Sequence, residues 1–191
     1  MKTLLSLWIT LTFIVTLFAA DQHIHVHGKA DGSIIIEEQS ISIELTIPAL
    51  SIVGFEHQPK SKEEKQRIKD AMKILQSPDL FTFFKDTGWF RNDQKVPVTI
   101  LKNTIEVVKD IDKDDKDNNS NHKESQNTHM EFTVQLHYKL EADTTINSVS
   151  TTLLSRIPDL HELNLIVIAG EHQIHYELAY NKSKINIKGE K

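Results

Sequence analysis

From Ser40 to Pro48 apolar and polar positions alternate, with Ile41, Ile43, Leu45 and Ile47 separated by Ser42, Glu44 and Thr46. Successive side chains of a strand point to opposite faces, so the pattern predicts a strand with one face buried. Ser33 to Glu37 predicts its hairpin partner, with a bend at Gly28 and at Asp31-Gly32 before it. The strictest alternation runs from His129 to Leu140: Met130, Phe132, Val134, Leu136, Tyr138 and Leu140 share one face, and His129, Glu131, Thr133, Gln135, His137 and Lys139 the other. Val96 to Val108 is also strand-like. Leu163 to Ala169 and Ile174 to Leu178 flank Gly170-Glu171 as a hairpin, and Lys184 to Lys188 closes a sheet.

The period changes once, strongly. Ser61-Lys62-Glu63-Glu64 is a capping box, and Ile68, Ala71, Met72 and Leu75 follow at helical spacing until Ser77-Pro78 stops the helix. Phe81, Phe83, Phe84, Trp89 and Phe90 form an aromatic-rich stretch suited to anchoring that helix on a sheet. A short helix is predicted near Asn147 to Arg156, with Leu153, Leu154 and Ile157 apolar. Strands around one helix in each half predict an α+β fold of two similar small lobes, residues 21–110 and 129–191, each an antiparallel sheet with one main helix.

Residues 111–128 between those halves have almost no apolar content, and Asp, Asn and Lys crowd them. Such a stretch cannot bury enough surface to hold itself in order, so a flexible acidic linker is predicted. Asp112, Asp114, Asp115, Asp117 and His122 predict weak, low-specificity cation binding there. An EF-hand loop starting at Asp115 does not fit, because Ser120 stands where the glycine is needed and Gln126 where the bidentate glutamate is needed.

The N-terminal pattern predicts export from the cytoplasm. Lys2, the uncharged apolar run Leu4 to Phe18 and Ala19-Ala20 make residues 1–20 a signal peptide by pattern. Removing it leaves no membrane span, and the formal net charge of -5 becomes more negative as Lys2 leaves. Acids and lysines are interspersed throughout, which argues against nucleic acid, since that partner needs a concentrated basic face. There is no cysteine, so disulfides and thiolate metal sites are excluded.

The residues that carry chemistry are histidines and carboxylates. His23, His25 and His27 fall on alternate positions, which on a strand puts three imidazoles on one face, a ligand set for Zn(II), Cu(II) or Ni(II). Glu56-His57 closes an apolar connection before Pro59 and either binds metal or holds that connection by hydrogen bonds. His129 and Glu131 repeat the alternate-residue pattern at the start of a strand. Cleavage after Ala20 would leave Asp21-Gln22-His23, whose amine, two amides and imidazole form a four-nitrogen square-planar set for Cu(II) or Ni(II). Asp86-Thr87-Gly88 matches the aspartic protease tripeptide, but no second copy completes a dyad.

Taken together, the chain resembles the ZrgA family of exported zinc-binding proteins, accessory components of bacterial zinc uptake. The resemblance is carried by His25-Val26-His27-Gly28, Ile43-Glu44-Leu45 with Pro48, Val53-Gly54-Phe55-Glu56-His57-Gln58-Pro59, Glu63-Glu64-Lys65, His129-Met130-Glu131-Phe132 and Ile157-Pro158-Asp159-Leu160. It implies a periplasmic protein of two similar lobes that binds zinc and hands it toward a transporter or its solute-binding protein. It also implies His25, His27, Glu56, His57, His129 and Glu131 as ligands, and so favours a functional role for Glu56-His57. Members commonly carry a cysteine pair and a histidine-rich insert; here there is no cysteine, and the insert is Asp/Asn-rich with His122. The expected function is therefore zinc binding in metal homeostasis, without catalysis, because no His-Glu-x-x-His motif occurs. A metal-dependent hydrolase built from dispersed ligands and a metal-independent envelope interaction module are the alternatives.

Overall fold

The computed structural model describes residues 28–87, 92–111 and 128–187. Two sheets dominate, and the architecture is α+β with β prevailing. The larger sheet contains β1 (Lys29–Ile36), β2 (Ser40–Pro48), β5 (Thr99–Ile111), β6 (Thr128–Lys139), β8 (Glu162–Ala169) and β9 (His172–Ala179), in the order β5-β6-β2-β1-β8-β9. The smaller contains β3 (Phe81–Thr87), β4 (Asn92–Lys95), β7 (Ser148–Thr151) and β10 (Lys184–Asn186), in the order β10-β7-β3-β4. Neighbours pair antiparallel except β1 and β8, which run parallel from Lys29 opposite Glu162 to Ile36 opposite Ala169.

The alternating residues of β2 and β6 become the core. Ile41, Ile43, Leu45 and Ile47 are at most 1% exposed. They belong to one buried cluster with Phe132, Val134 and Tyr138 of β6, Leu163 and Leu165 of β8, and Phe81, Phe83, Val149 and Ile185 of the smaller sheet. Phe83 meets Tyr138 edge to face at 5.1 Å between ring centres, a favourable geometry for two quadrupolar rings.

The division expected between two lobes, each with its own antiparallel sheet, is not the one the strands make. The larger sheet takes β1, β2 and β5 from the first half and β6, β8 and β9 from the second, and the smaller sheet is mixed likewise. A period-two pattern states which face of a strand is buried, and says nothing about which strand lies beside it. The acidic segment consequently connects neighbouring antiparallel strands, with Ile111 opposite Thr128. Residues 112–127 themselves lie outside the described residues, as do the signal segment and His23, His25 and His27.

Three local expectations are also corrected. Asp31-Gly32 lies within β1, where a Cβ on Gly32 would stand 2.4 Å from the Glu44 carbonyl oxygen and 2.6 Å from Leu45 Cδ2. Glycine is there for close approach of the neighbouring strand, not for a turn. Gly28, by contrast, has a φ of +81° and does turn the chain. Residues 148–151 form β7 against β3, and the predicted helix is reduced to α3 (Leu153–Arg156). Val96 sits between β4 and β5, buried, its N–H donating to the Phe83 carbonyl at 2.8 Å.

Two helices follow β2. A five-residue helix, α1 (Ala49–Val53), ends at Gly54 in the left-handed conformation. The longer α2 (Lys62–Leu75) opens on the predicted capping box: Glu64 N–H donates to Ser61 Oγ at 3.0 Å and Ser61 N–H donates to Glu64 Oε2 at 3.1 Å. Ala71 and Leu75 are buried, with Ile68 and Met72 packed at the margin. No helix among the described residues is long and apolar enough to cross a membrane.

Candidate metal centre

One end of the larger sheet gathers the chemistry. β2 ends there at Pro48, opposite Glu131, and β6 begins there at Thr128, followed by His129. The chain leaving β2 makes α1, turns at Gly54 and returns Glu56 to the start of β6. Glu56 Oε2 then lies 2.8 Å from His129 Nδ1, although the residues are 73 positions apart. Both side chains are partly buried, at 17% and 31% exposure, so the pair sits at the rim of the fold, where an ion can reach it.

The pair is suited to zinc in two ways. A carboxylate accepting from Nδ1–H orients an imidazole and raises the basicity of Nε2, the usual outer support of a zinc-bound histidine. Alternatively both atoms bind the ion directly. Zinc bonds of about 2.0–2.1 Å to N and O imply ligand atoms about 3.3 Å apart on a tetrahedron, so the two atoms need to separate by only about half an ångström.

His57 is held elsewhere. Its Nδ1 lies 3.0 Å from the Gln58 carbonyl oxygen, its ring stacks on Phe55 at 5.1 Å, and Nε2 is 3.8 Å from Glu64 Oε1 at the start of α2. The fold thus pairs Glu56 with His129 and directs His57 to the helix cap. Backbone N–H donors of Lys60 and Ser61 hold the Glu64 carboxyl below its ordinary range, with nearby His57 adding to the effect. Glu131 follows His129 on the same face of β6, flanked by Pro48 and Val108. Among the described residues no group of three or more His, Asp or Glu side chains is drawn together as a metal site.

Both ligand-rich stretches outside the described residues attach at this end. Gly28 N–H donates to Ser51 Oγ of α1 at 3.0 Å, which ties the entry of β1 to the helix that precedes Glu56. The segment carrying Asp112, Asp114, Asp115, Asp117 and His122 leaves after Ile111 and returns at Thr128, one residue from His129. His161 was not singled out by its sequence context. Its N–H donates to the Gly28 carbonyl at 2.7 Å, and its Cδ2 would stand 3.0 Å from a Cβ on Gly28. Parallel pairing of β1 with β8 creates that contact, and no local pattern announces it. His137 bonds Ser42 Oγ at 2.9 Å further along the open face, a partnership internal to the sheet.

Comparison with protein families matches residues 24–187 to the one described as ZrgA family zinc uptake protein. A search of curated proteins finds no match to the sequence.

Proposed function

The chain belongs to the ZrgA family of zinc uptake proteins, and from that premise we propose that it is an exported zinc carrier whose ion is held at the Glu56–His129 end of the larger sheet. Zinc is its cargo. The observation that carries the reading is the 2.8 Å contact between Glu56 and His129, two zinc-type ligands brought together from distant parts of the chain. In this reading His25 and His27, which precede Gly28, and Glu131, on the same face as His129, complete the coordination. His23 and the acidic segment with His122 supply further ligands for ions arriving at that end.

The signal-like residues 1–20 support a periplasmic location, and the partner in this reading is a zinc transporter or its solute-binding protein. Release to a partner favours partly exposed ligands drawn from several segments, because each can be exchanged in turn. The protein acts as a carrier and not as a catalyst. A copper or nickel chelate at a terminus beginning Asp21-Gln22-His23 is a separate part of the proposal, dependent on cleavage after Ala20.

The test is zinc titration of the metal-stripped mature chain, by calorimetry and by competition with a chromophoric chelator. Glu56→Gln and His129→Ala are each expected to weaken zinc binding by about 10–100-fold, the range for loss of a ligand support or more. His25→Ala with His27→Ala should weaken it at least as far. Unchanged affinity and stoichiometry in all three variants would overturn the site.

A further inference from the structure

Among the described residues the two sheets present four edges, and three of them are guarded. β5 carries a register break between Ile100 and Lys102, together with Lys102 and Lys109; β4 has four residues, all polar, and β10 has three. Such irregularities, lysines and short lengths are how sheets avoid pairing with other chains. β9 has none of them. It runs eight residues in unbroken register with β8, contains no Lys, Pro or Gly, and has no strand on its other side among the described residues.

The order of residues along β9 is self-complementary. If two copies pair antiparallel about Tyr176, His175 of each stands opposite Glu177 of the other, Ile174 opposite Leu178, and His172 opposite Tyr180, which is 72% exposed. The charged, apolar and aromatic pairs then match, with Tyr176 facing its own copy, and Gln173 faces Ala179. Moving the centre to His175 opposes the two histidines and sets Glu177 against Gln173, and a one-residue slip brings the core face against the solvent face. His175 and Glu177 lie on the face turned away from the core, opposite Ile166 and Asn164 of β8, and both are exposed.

We propose that β9 is a homodimer edge and that the joined strands hold one zinc ion between His175 and Glu177 of both copies. Directly opposed residues of an antiparallel pair have Cβ atoms about 4.5–5.5 Å apart, and alternate residues of one strand are about 7 Å apart. Two imidazoles and two carboxylates therefore occupy the corners of a rectangle of about 5 by 7 Å around the two-fold axis. An ion on that axis takes one N or O from each corner, an N2O2 tetrahedral set suited to zinc. Neither copy supplies enough ligands alone, so ion and partner are taken up together. Zinc as the ion rests on the function proposed above, whereas the choice of edge rests on β9 alone.

Sedimentation of the mature chain, stripped with chelator and then supplied with zinc, tests it. The expected result is a monomer in chelator and a doubled mass in zinc, with one ion per two chains beyond those bound at the Glu56–His129 end. His175→Ala and Glu177→Gln should stay monomeric in zinc while keeping that other binding, and Ile174→Lys, which guards the edge, should do the same. Glu56→Gln should still dimerise, so failure of the carrier site and failure of the dimer site are separable. A wild-type chain that binds zinc yet stays monomeric overturns the proposal, and so does a dimer that survives both His175→Ala and Glu177→Gln.

Discussion

Tyr138 is 1% exposed on the core face of β6, and burial pushes its phenol up to about 12. The unfolded chain loses the same proton near about pH 10. Stability contributed by the neutral phenol is therefore complete below about pH 10 and is lost as the pH rises toward about 12. A shift of about two units corresponds to about 2–3 kcal/mol, so denaturant midpoints of the wild type should fall across that window, while Tyr138→Phe should show a shallower fall. Two glycines offer a contrast of mechanism at the same scale. Gly32→Ala forces a methyl into the Glu44 carbonyl and Leu45, and is expected to cost about 3 kcal/mol, at the upper end for overpacking. Gly170→Ala meets nothing within 4 Å but keeps a φ of +59°, and should cost only about 1–2 kcal/mol for the left-handed backbone. Urea unfolding of both variants checks the ranking.

Among the elements, α2 was the most legible, because its start is written locally. Ser61 and Glu64 satisfy each other's backbone donors three residues apart, and the structure has both bonds. Ser61→Ala should destabilise the protein by about 1 kcal/mol. The Glu64 carboxyl is held low by the N–H groups of Lys60 and Ser61, so its contribution is present above the ordinary carboxylate range and lost as pH falls through the lowered value. Helical circular dichroism should drop in acid at a higher pH in Ser61→Ala than in the wild type. β2 and β6 were legible for the same reason, since one period fixes their buried faces. β7 was not: Ser148 to Thr151 have too short a pattern to compete with the helical spacing of Leu153, Leu154 and Ile157, and only pairing with β3 and β10 decides it. At the site, Glu56 and His129 could be recognised as ligand types, yet their pairing depends on where α1 and Gly54 return the chain. His57, adjacent to Glu56, is turned to the helix cap by a rotation that sequence adjacency does not reveal.

For the whole molecule, the interleaved sheets predict how it responds to cutting. A single engineered cleavage between Asp117 and Asn118 should leave fragments that stay together at native mass, because β6 remains bound to both β5 and β2. Gel filtration followed by denaturing electrophoresis checks this, and two independent lobes would instead separate. The parallel pairing of β1 with β8 has a further effect, on timing. Asp31 and Asn164 meet although they are 133 positions apart, and contacts of such separation form slowly because the loop entropy is lost before the contact is gained. As the chain is made, β1 keeps one flank bare until Glu162–Ala169 has emerged, with nearly the whole sequence already synthesised. That lateness makes β8 with β9 the last part of the larger sheet to close, after β5, β6, β2 and β1 are already available to pair with one another.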